Sequence, residues 1–364
     1  MDKPSLHILH SESSLGWGGQ EHRTFKEMVA LRERGHTLEL VCQPGAKLGE
    51  RLTAEGFTVH HVRMRNGADL GAVWRMRKLL RQGRFDVLNT HSGRDSLLAG
   101  MAGRLAGTPL IVRTRHLALE ITSLATYTWL PHRVVSVSEH VRQYLIGKGV
   151  PAAHAATIYT GIQAPEPVTS TLRAELKLPD DAIVVGTVAI LRAKKGHREL
   201  LEAAKPLLER HPALHLVWAG NGPQYDNLSA LLASEGLADR VHLLGLRRDV
   251  ANVLAGCDVF ALATHQEALG TSYIEAMAMG LPVIGTRVDG VPEVIEDGVN
   301  GLLVPAQNVP ALRAALETLI GDAALRQRMG EAGRAITRSR FAVATMAAEM
   351  EAFYRNSLAE RGHA

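Results

Sequence analysis

The chain contains few cysteines, few aromatic residues and no long apolar runs. Its two cysteines, Cys42 and Cys257, lie far apart in the sequence, which excludes a disulfide framework and a cysteine-based metal site. Aromatic residues make up only 4% of the chain, and none of the nucleic-acid recognition motifs is present, so we expect no nucleic-acid partner. No run of about 18 apolar residues occurs, so no transmembrane helix is predicted.

The first residues, Met1 to Ser5, are not followed by the apolar stretch of a signal peptide. Together with two widely separated cysteines, this favours a reducing, cytoplasmic location. The sequence shows no metal-ligand motif and no complete dinucleotide fingerprint. We therefore expect neither a metal nor an organic cofactor.

Charge is shared unevenly between the two halves of the chain. Residues 1–150 contain 21 Lys and Arg against 13 Asp and Glu, a balance of +8; the remainder contains 20 against 24, a balance of −4. A basic first half favours an anionic partner without identifying it; lipid headgroups, a phosphorylated acceptor or nucleic acid would each fit the charge, and the missing recognition motifs disfavour the last.

Length and pattern together predict two α/β domains. At 364 residues the chain suits two domains of about 150–200 residues each. Short Val/Ile/Leu-rich runs alternate with helical patterns in both halves, which is typical of parallel sheets covered on both faces. The predicted organisation is an amino-terminal Rossmann-like domain (1–162), a linker (163–177) containing two prolines in three residues, a carboxy-terminal Rossmann-like domain (178–340), and a last helix (341–364) that packs back on the first domain. Two doubly wound sheets are expected to bind ligand at the carboxyl ends of their strands, facing a shared cleft.

Glycines follow the first predicted strand, at Gly16, Gly18 and Gly19. Glycines between a strand and a helix let backbone amides approach a phosphate. The dinucleotide fingerprint would need a glycine at Glu21, which counts against an NAD enzyme. The alternative is a tight turn required only for packing.

A second pattern runs from the strand end at Ala263 into a helix. Glu267 lies in the predicted loop and Glu275 in the helix, with seven residues between them. Carboxylates on either side of a helix start could accept hydrogen bonds from vicinal hydroxyls of a sugar or ribose. Unpaired amides at the helix start would suit a diphosphate. These are the amides of Gly270, Thr271 and Ser272.

A third pattern is the basic cluster around Arg192, Lys194 and Lys195, which follows the first strand of the second half. Cations at a strand's carboxyl end, ahead of a helix, suit phosphate neutralisation. An ordinary solvated turn has a similar composition, so this cluster alone does not decide between the two interpretations.

In combination, these motifs resemble glycosyltransferase family 4, which has the GT-B architecture. The resemblance covers nearly the whole chain in the family's order, and it is specific for the family rather than for a substrate. It rests on the two spaced glutamates followed by Ala276-Met277-Ala278 and Gly280-Leu281-Pro282-Val283, on Gly18-Gly19-Gln20-Glu21, on Lys195-Gly196, on Ala219-Gly220-Asn221-Gly222-Pro223, and on Gly298-Val299-Asn300-Gly301.

The resemblance implies a retaining sugar transfer that needs no metal. Glu275 would hold the ribose hydroxyls of the nucleotide, and Glu267 the hydroxyls of the donor sugar. Lys195, with the helix-start amides, would stabilise the leaving diphosphate. Gly18 and Gly19 would approach the donor phosphates from the first domain. His116 falls where such enzymes often keep a histidine near the donor sugar; a strand-end histidine with a purely structural role is the alternative, and His91 is a weaker candidate.

The chain departs from the family's pattern at several positions. Ile190 stands where an arginine is frequent, and Arg192 would take its place as a second phosphate ligand. Ala268 and Leu269 replace the common Gly and Phe, which would reshape the sugar pocket. The base of the nucleotide would lie against two further residues, Leu246 and Arg247.

Cations are concentrated with apolar residues on a predicted helix of the first half, over 70–81. The pattern places Leu70 on the inward stripe and Trp74, Arg75 and Lys78 further outward. Such a helix can lie on an anionic membrane surface. It can equally be an ordinary surface helix whose arginine stems cover apolar neighbours.

The sequence thus predicts an enzyme that moves a sugar from a UDP- or GDP-sugar to a glycan or lipid-linked acceptor, in lipopolysaccharide or related glycan assembly. Two alternatives remain open from the sequence. One is a nucleotide-sugar epimerase of the same architecture, and the other is a non-catalytic module that binds nucleotide sugars.

Overall fold

The computed structural model describes residues 4–117, 119–163, 166 and 168–362. The chain forms two compact units. The first comprises residues 1–161 and 343–364, and the second comprises residues 162–342. Helices and strands are numbered in chain order across both units.

The first unit is built on a parallel sheet with strand order β3-β2-β1-β4-β5-β6-β7 within its described residues. The strands are β1 (His7–Glu12), β2 (Thr37–Cys42), β3 (Thr58–His61), β4 (Val87–Thr90), β5 (Leu110–Arg115), β6 (Arg133–Ser136) and β7 (Ala155–Thr157). The helices are α1 (Gly19–Glu33), α2 (Lys47–Ala54), α3 (Leu70–Gly83), α4 (Gly93–Ala106), α5 (Ala125–Thr128), α6 (Glu139–Gly147) and, from the end of the chain, α14 (Val343–Ala359).

The helix α14 belongs to the first unit because its apolar face is buried there. Met346, Met350 and Tyr354 lie in the same core as the strands β1 and β2. The hydroxyl of Tyr354 accepts a hydrogen bond from the Asn89 amide (2.9 Å) and donates one to Glu27 (3.2 Å). The last helix of the chain therefore completes the core of the first unit.

The second unit is built on a parallel sheet with strand order β10-β9-β8-β11-β12-β13 within its described residues. Its strands are β8 (Ile183–Val188), β9 (Leu214–Ala219), β10 (Val241–Gly245), β11 (Val259–Leu262), β12 (Val283–Thr286) and β13 (Gly301–Val304). Its helices are α7 (Leu172–Glu175), α8 (His197–Arg210), α9 (Tyr225–Ser234), α10 (Val250–Ala255), α11 (Thr271–Ala278), α12 (Val309–Gly321) and α13 (Ala323–Arg340).

The segment predicted as a linker differs from the expectation in its second part. Ser170 donates a hydrogen bond to the Asn252 carbonyl (2.7 Å), and Arg173 pairs with Asp258 (2.7 Å). These bonds fix α7 to the second unit, so 170–177 is part of that unit rather than a free connection. Three residues of the predicted linker, Ala164, Pro165 and Pro167, lie outside the described residues.

Two expectations for the first unit require correction. Leu70, placed on the inward stripe of its helix, is 73% exposed, because it is the first residue of α3 and the buried face is formed by Ala72, Val73, Met76 and Leu80. The edge strand β7 was not predicted, since its three residues, Ala-Ala-Thr, carry no strong strand preference. Trp74 is 61% exposed, as expected.

Candidate functional site

The strand order of the second unit places a crevice between β8 and β11. The chain runs from β8 outward to β9 and β10 on one side, and from β11 outward to β12 and β13 on the other. At such a reversal, the loops after the two central strands separate to opposite faces of the sheet and leave room for a ligand at their carboxyl ends. The predicted phosphate and sugar contacts of this unit follow those strands, whereas the predicted base contacts Leu246 and Arg247 follow the edge strand β10.

The loops after β8 and β11 touch one another closely at Gly196. This residue has φ +69°, and a Cβ at its position would lie 1.9 Å from the carbonyl oxygen of Ala263. The amide of His265 also donates a hydrogen bond to the Lys194 carbonyl (2.7 Å). Only glycine fits a left-handed backbone pressed against another chain segment. The close approach fixes the position of the neighbouring Lys195.

Lys195 and Glu267 form an ion pair across this crevice. Their side chains are 17% and 20% exposed, so the pair is shielded from most, but not all, of the solvent. The structure thus brings together two residues that the sequence separates by 72 positions. A lysine held in this way presents a cation at the carboxyl ends of the two central strands.

The loop that carries Glu267 is supported by the next loop of the sheet. The amide of Glu267 donates a hydrogen bond to the Asp289 carboxylate (2.9 Å), and its carbonyl accepts one from the Gly290 amide (3.1 Å). Asp289 adopts φ +45° to make this contact, a conformation that aspartate tolerates better than most residues. The bracing keeps Glu267 beside Lys195.

Helix α11 begins directly after this loop, with Gly270 at φ +96° as the residue before it. Thr271 and Ser272 are its first two residues, so their amides have no carbonyl one turn earlier in the helix to bond. The aligned peptide dipoles make such a helix start attractive to an anion. Glu275 follows one turn later and is half-buried.

Arg192 and Arg247 lie in different surroundings from Lys195. Arg192 lines a cavity of about 270 Å³ with Lys194, Arg198 and Gln224, among others. The guanidinium of Arg247 is bound by Asp249 and by Glu175 (2.8 Å), and these hydrogen bonds raise its pKa.

Arg192, Arg247 and Leu246 were each predicted to contact the nucleotide. Arg192 as a second phosphate ligand and Arg247 as a contact of the base remain predictions. Leu246 is 72% exposed, and its contact with the base also remains a prediction.

The first unit has its own reversal of strand order, between β1 and β4. Three histidines at the carboxyl ends of β1, β4 and β5 form a continuous chain there. Nδ1 of His10 lies 2.9 Å from Nε2 of His91, and Nδ1 of His91 lies 3.0 Å from Nε2 of His116. All three are buried.

Burial keeps these imidazoles neutral. It lowers the pKa of His10 to about 3. It also lowers the pKa of His91 and of His116 well below the ordinary value, and the positive charge of the buried Arg23 adds to the effect on both. The row of three histidines is therefore uncharged at neutral pH.

Acids and serines occupy the same edge. The Ser13 and Ser92 hydroxyls are 2.6 Å apart, and Ser92 donates to Asp95 (2.5 Å). Glu12 accepts hydrogen bonds from the Ser14 amide (2.8 Å) and the Gln20 side chain (2.5 Å). Burial raises the pKa of Glu12, and the nearby charge of Asp95 adds to the rise. Burial raises the pKa of Asp95 as well.

The glycines after β1 lie at the start of α1. The amide of Gly18 donates a hydrogen bond to the Glu21 carboxylate (2.7 Å), which caps the helix. Glu21, standing where a dinucleotide fingerprint needs glycine, thus has a structural role. Gly19 is the first residue of the helix. Approach of Gly18 and Gly19 to a donor phosphate stays a prediction.

Family models and known proteins match both units. A model described as "Glycosyltransferase Family 4" matches residues 17–164, and one described as "Glycosyl transferases group 1" matches residues 168–336. The chain is a family 4 glycosyltransferase.

Individual glycosyltransferases and solved structures are also similar to this chain. The glycosyltransferase is 35% identical to the lipopolysaccharide core biosynthesis glycosyltransferase LpsE of Rhizobium meliloti over 46% of this chain and 48% of that protein. It is 25% identical to the UDP-Gal:alpha-D-GlcNAc-diphosphoundecaprenol alpha-1,3-galactosyltransferase of Escherichia coli over 88% and 89%. The solved structure of Anabaena Alr3699/HepE, in complex with UDP, superposes with a TM-score of 0.85 at 22% identity, covering 96% of this chain and 100% of that one. That likeness establishes the GT-B fold class.

Three residues that support the candidate sites of the glycosyltransferase were not predicted from the sequence. His10, Glu12 and Asp289 each act through contacts with loops remote in sequence. A signal for the first two was present, since the polar run His10-Ser11-Glu12 follows apolar residues without a turn residue. The Asp289-Gly290 pair signalled only a turn.

Two further observations concern the described part of the glycosyltransferase. No group of three or more His, Cys, Asp or Glu side chains that could hold a metal ion is found among the residues described. In the same residues, no helix is long and apolar enough to cross a membrane.

Proposed function

We propose that this glycosyltransferase moves a sugar from a nucleoside diphosphate sugar, a UDP- or GDP-sugar, to a glycan or lipid-linked acceptor of lipopolysaccharide or related cell-surface glycans. We further propose that transfer retains the anomeric configuration, needs no divalent metal and takes place on the cytoplasmic side of the membrane.

The observation that carries the proposal is the Lys195–Glu267 pair next to the start of α11. A leaving diphosphate needs positive charge that is fixed in place before the bond breaks. Lys195 supplies a full charge, and the amides of Thr271 and Ser272 supply hydrogen-bond donors at the positive end of a helix. In this proposal a phosphate oxygen replaces the Glu267 carboxylate as the partner of the Lys195 ammonium group. The released carboxylate of Glu267 then accepts hydrogen bonds from the sugar hydroxyls.

The identity of the donor is supported by the names of the similar proteins. HepE was solved with UDP, and the Escherichia coli relative uses UDP-Gal. In this proposal Glu275 accepts hydrogen bonds from the ribose hydroxyls, because its place one turn into α11 lies next to the amides proposed for the phosphates.

The acceptor class is supported in the same way. LpsE acts in lipopolysaccharide core biosynthesis, and the acceptor named for the Escherichia coli relative is a diphosphoundecaprenol-linked sugar. The neutral hydroxyls, imidazoles and shielded acids at the edge of the first unit suit an uncharged polyol better than a phosphate.

The proposal is tested by kinetics on Lys195→Ala with Lys194→Ala as the matched control. A thermal-shift panel of nucleotides and nucleotide sugars first identifies the donor, since a selective ligand stabilises the folded chain. With that donor and a lipopolysaccharide acceptor, Lys195→Ala is expected to lower kcat about 100- to 1,000-fold, the usual effect of losing a preorganised electrostatic partner of the transition state. Lys194→Ala, which loses a hydrogen bond to Gln266 (3.4 Å), is expected to change kcat less than about threefold.

Equal effects of the two variants would contradict the assignment of Lys195. Interconversion of the nucleotide sugar without acceptor would favour an epimerase, and selective binding without turnover a non-catalytic module. The proton coupling at the new glycosidic bond tests retention. Loss of activity on chelating divalent metals would contradict a metal-free reaction.

We also propose that the exposed side of α3 contacts an anionic membrane. Leu70 and Trp74 are exposed there beside three exposed cations, Arg75, Lys78 and Arg81. Arg77 donates a hydrogen bond to the carbonyl of Leu105 (3.1 Å), whose side chain is 59% exposed. Apolar side chains surrounded by cations fit an interface of acyl chains and anionic headgroups.

Cosedimentation with vesicles tests this contact. Trp74→Ser is expected to weaken binding to vesicles of phosphatidylglycerol and phosphatidylcholine, and Val299→Ser, in an exposed position of the second unit, is expected to leave it unchanged. Equal binding of both variants would contradict the assignment of α3.

A further inference from the structure

The three histidines at the edge of the first unit form a hydrogen-bonded chain with one open end. His10 is at the inner end, and its Nε2 is buried with no hydrogen-bond partner among the described residues. His91 is bonded through both ring nitrogens. His116 is bonded through Nε2, so its Nδ1 is the nitrogen left at the outer end.

Neutral imidazoles allow only two arrangements of this chain, because each ring carries one N–H and each hydrogen bond needs one donor and one acceptor. In the first, every Nδ1 carries the proton, His10 donates to His91 and His91 donates to His116. In the second, every Nε2 carries the proton and the donors run the opposite way. Mixed arrangements place two donors or two acceptors face to face.

The inner end selects the first arrangement. If every Nε2 were protonated, the Nε2–H of His10 would be a buried donor without an acceptor, which native proteins rarely contain. If every Nδ1 is protonated, His10 Nε2 presents only a lone pair to its surroundings. The unpaired nitrogen at one end thus decides which nitrogen of His116, two rings away, carries the proton.

We propose that His10 and His91 are positioning residues that fix His116 as a neutral hydrogen-bond donor through Nδ1–H. His116 then binds the oxygen atom of a sugar hydroxyl and does not accept a proton from it. Arg23, whose positive charge acts on both His91 and His116, opposes protonation of the chain and keeps the donor uncharged.

The first test is spectroscopic and does not depend on the proposed function. Long-range ¹H–¹⁵N correlation spectra of the histidine-labelled full chain, recorded at about pH 8 where unperturbed histidines are also neutral, distinguish Nδ1–H from Nε2–H rings. Assignment through bonds from the backbone to the ring requires no variant to fold. His10, His91 and His116 are expected to carry the proton on Nδ1.

Two other buried histidines of the same unit are internal controls, because the opposite tautomer is expected for them. Nδ1 of His36 accepts a hydrogen bond from the Leu6 amide (3.1 Å), and Nδ1 of His132 accepts one from the Ile111 amide (3.0 Å). Both must carry their proton on Nε2 when neutral. An Nε2–H signal for His116, with the controls as expected, would overturn the proposal.

The second test is kinetic and rests on the proposed sugar transfer. An asparagine at position 116 presents an amide N–H near the place of Nδ1, whereas an aspartate of the same shape can only accept. His116→Asn is expected to keep kcat/KM within about tenfold of the wild type, the effect of perturbing one hydrogen bond. His116→Asp is expected to lower it at least a further tenfold. Equal losses in the two variants would contradict a donor role for His116.

A double-mutant cycle separates positioning from packing. His10→Phe keeps the ring and removes both nitrogens, so it is expected to lower kcat/KM about tenfold in the wild-type background and to have little further effect in the His116→Asn background. A purely structural role for His10 would give the same loss in both backgrounds and would overturn the proposal. If no sugar transfer is found at all, the proposed function fails while the spectroscopic result still decides the histidine chain.

Discussion

The two sheets reverse strand order in the same way, yet the edges at the reversal differ in chemistry. In the second unit, the edge between β8 and β11 carries a partly exposed lysine, paired with a glutamate, and the start of a helix. In the first unit, the edge between β1 and β4 carries three neutral histidines and two acids with raised pKa, all of them buried, together with half-buried, hydrogen-bonded serines.

In the proposed function, this difference separates two tasks within one architecture. A site for an anion needs a permanent positive charge and unpaired amides. A site for hydroxyl groups needs oriented neutral donors and acceptors, since a charge would be costly to bury unpaired. This difference between the two edges can be tested by substitutions that affect one edge and are expected to leave the other unchanged.

The largest expected effect concerns the close approach that positions Lys195. In Gly196→Ala the added Cβ meets the Ala263 carbonyl oxygen and the residue keeps an unfavourable φ, so we expect the free energy of unfolding to fall by about 3–5 kcal/mol. Gly236→Ala is the matched control, because Gly236 has φ +66° and no atom within 4 Å of the added Cβ. It is expected to lose about 1 kcal/mol.

Denaturant unfolding measures both changes. Similar losses in the two variants would show that the contact between the loops does not hold the edge together.

A smaller effect is expected at the proposed ribose contact. Glu275→Ala is expected to raise the Kd of the nucleotide about 30- to 100-fold, since it removes hydrogen bonds to a charged acceptor. Glu317→Ala, which removes an exposed glutamate paired with Arg210 in the same unit, is expected to leave Kd unchanged. Isothermal titration with the nucleotide alone measures both, and an unchanged Kd for Glu275→Ala would rule out the assignment.

The smallest effect concerns the acid at the edge of the first unit. Burial raises the pKa of Glu12, so between the ordinary glutamate value of about 4.3 and the raised value the folded chain holds a proton that the unfolded chain has lost. Stability attributable to Glu12 therefore falls as pH rises through this window. Glu12→Gln is expected to remove that slope and to raise stability at the upper end by about 1–2 kcal/mol.

Unfolding free energies measured across this pH range test the prediction. The control is Glu55→Gln, on an exposed glutamate of the same unit, which is expected to keep the wild-type slope. A wild-type slope in Glu12→Gln would mean that the edge of the first unit is not as shielded as the structure indicates.

Most of the fold could be predicted from the sequence because the strands are covered on both faces. The short apolar runs over 37–42, 87–90, 214–219 and 301–304 form β2, β4, β9 and β13, since such runs between turns are typical of strands covered on both faces. The prediction failed where the strand was a short run of small residues, as in β7, and at Leu70, where the helical period was extrapolated into the first residue of α3.

The candidate site of the second unit was predicted as separate patterns. The spacing of Glu267 and Glu275 and the position of Lys195 before a helix identified the residues, and the ion pair between Lys195 and Glu267 appeared only in the structure. Asp289 could not be predicted in its role, because nothing in a single sequence indicates which loop its carboxylate will reach.

Taken alone, the amino-acid sequence determined the two parallel sheets, the family and the residues that follow the central strands, because these depend on local period and on spacing along the chain. Only the tertiary structure decided that His10, His91 and His116 form a chain and that Glu12 is shielded from solvent. Hydrogen bonding and burial depend on which strand lies beside which, and the chain crosses from β1 to β4 through more than 70 residues before the two meet.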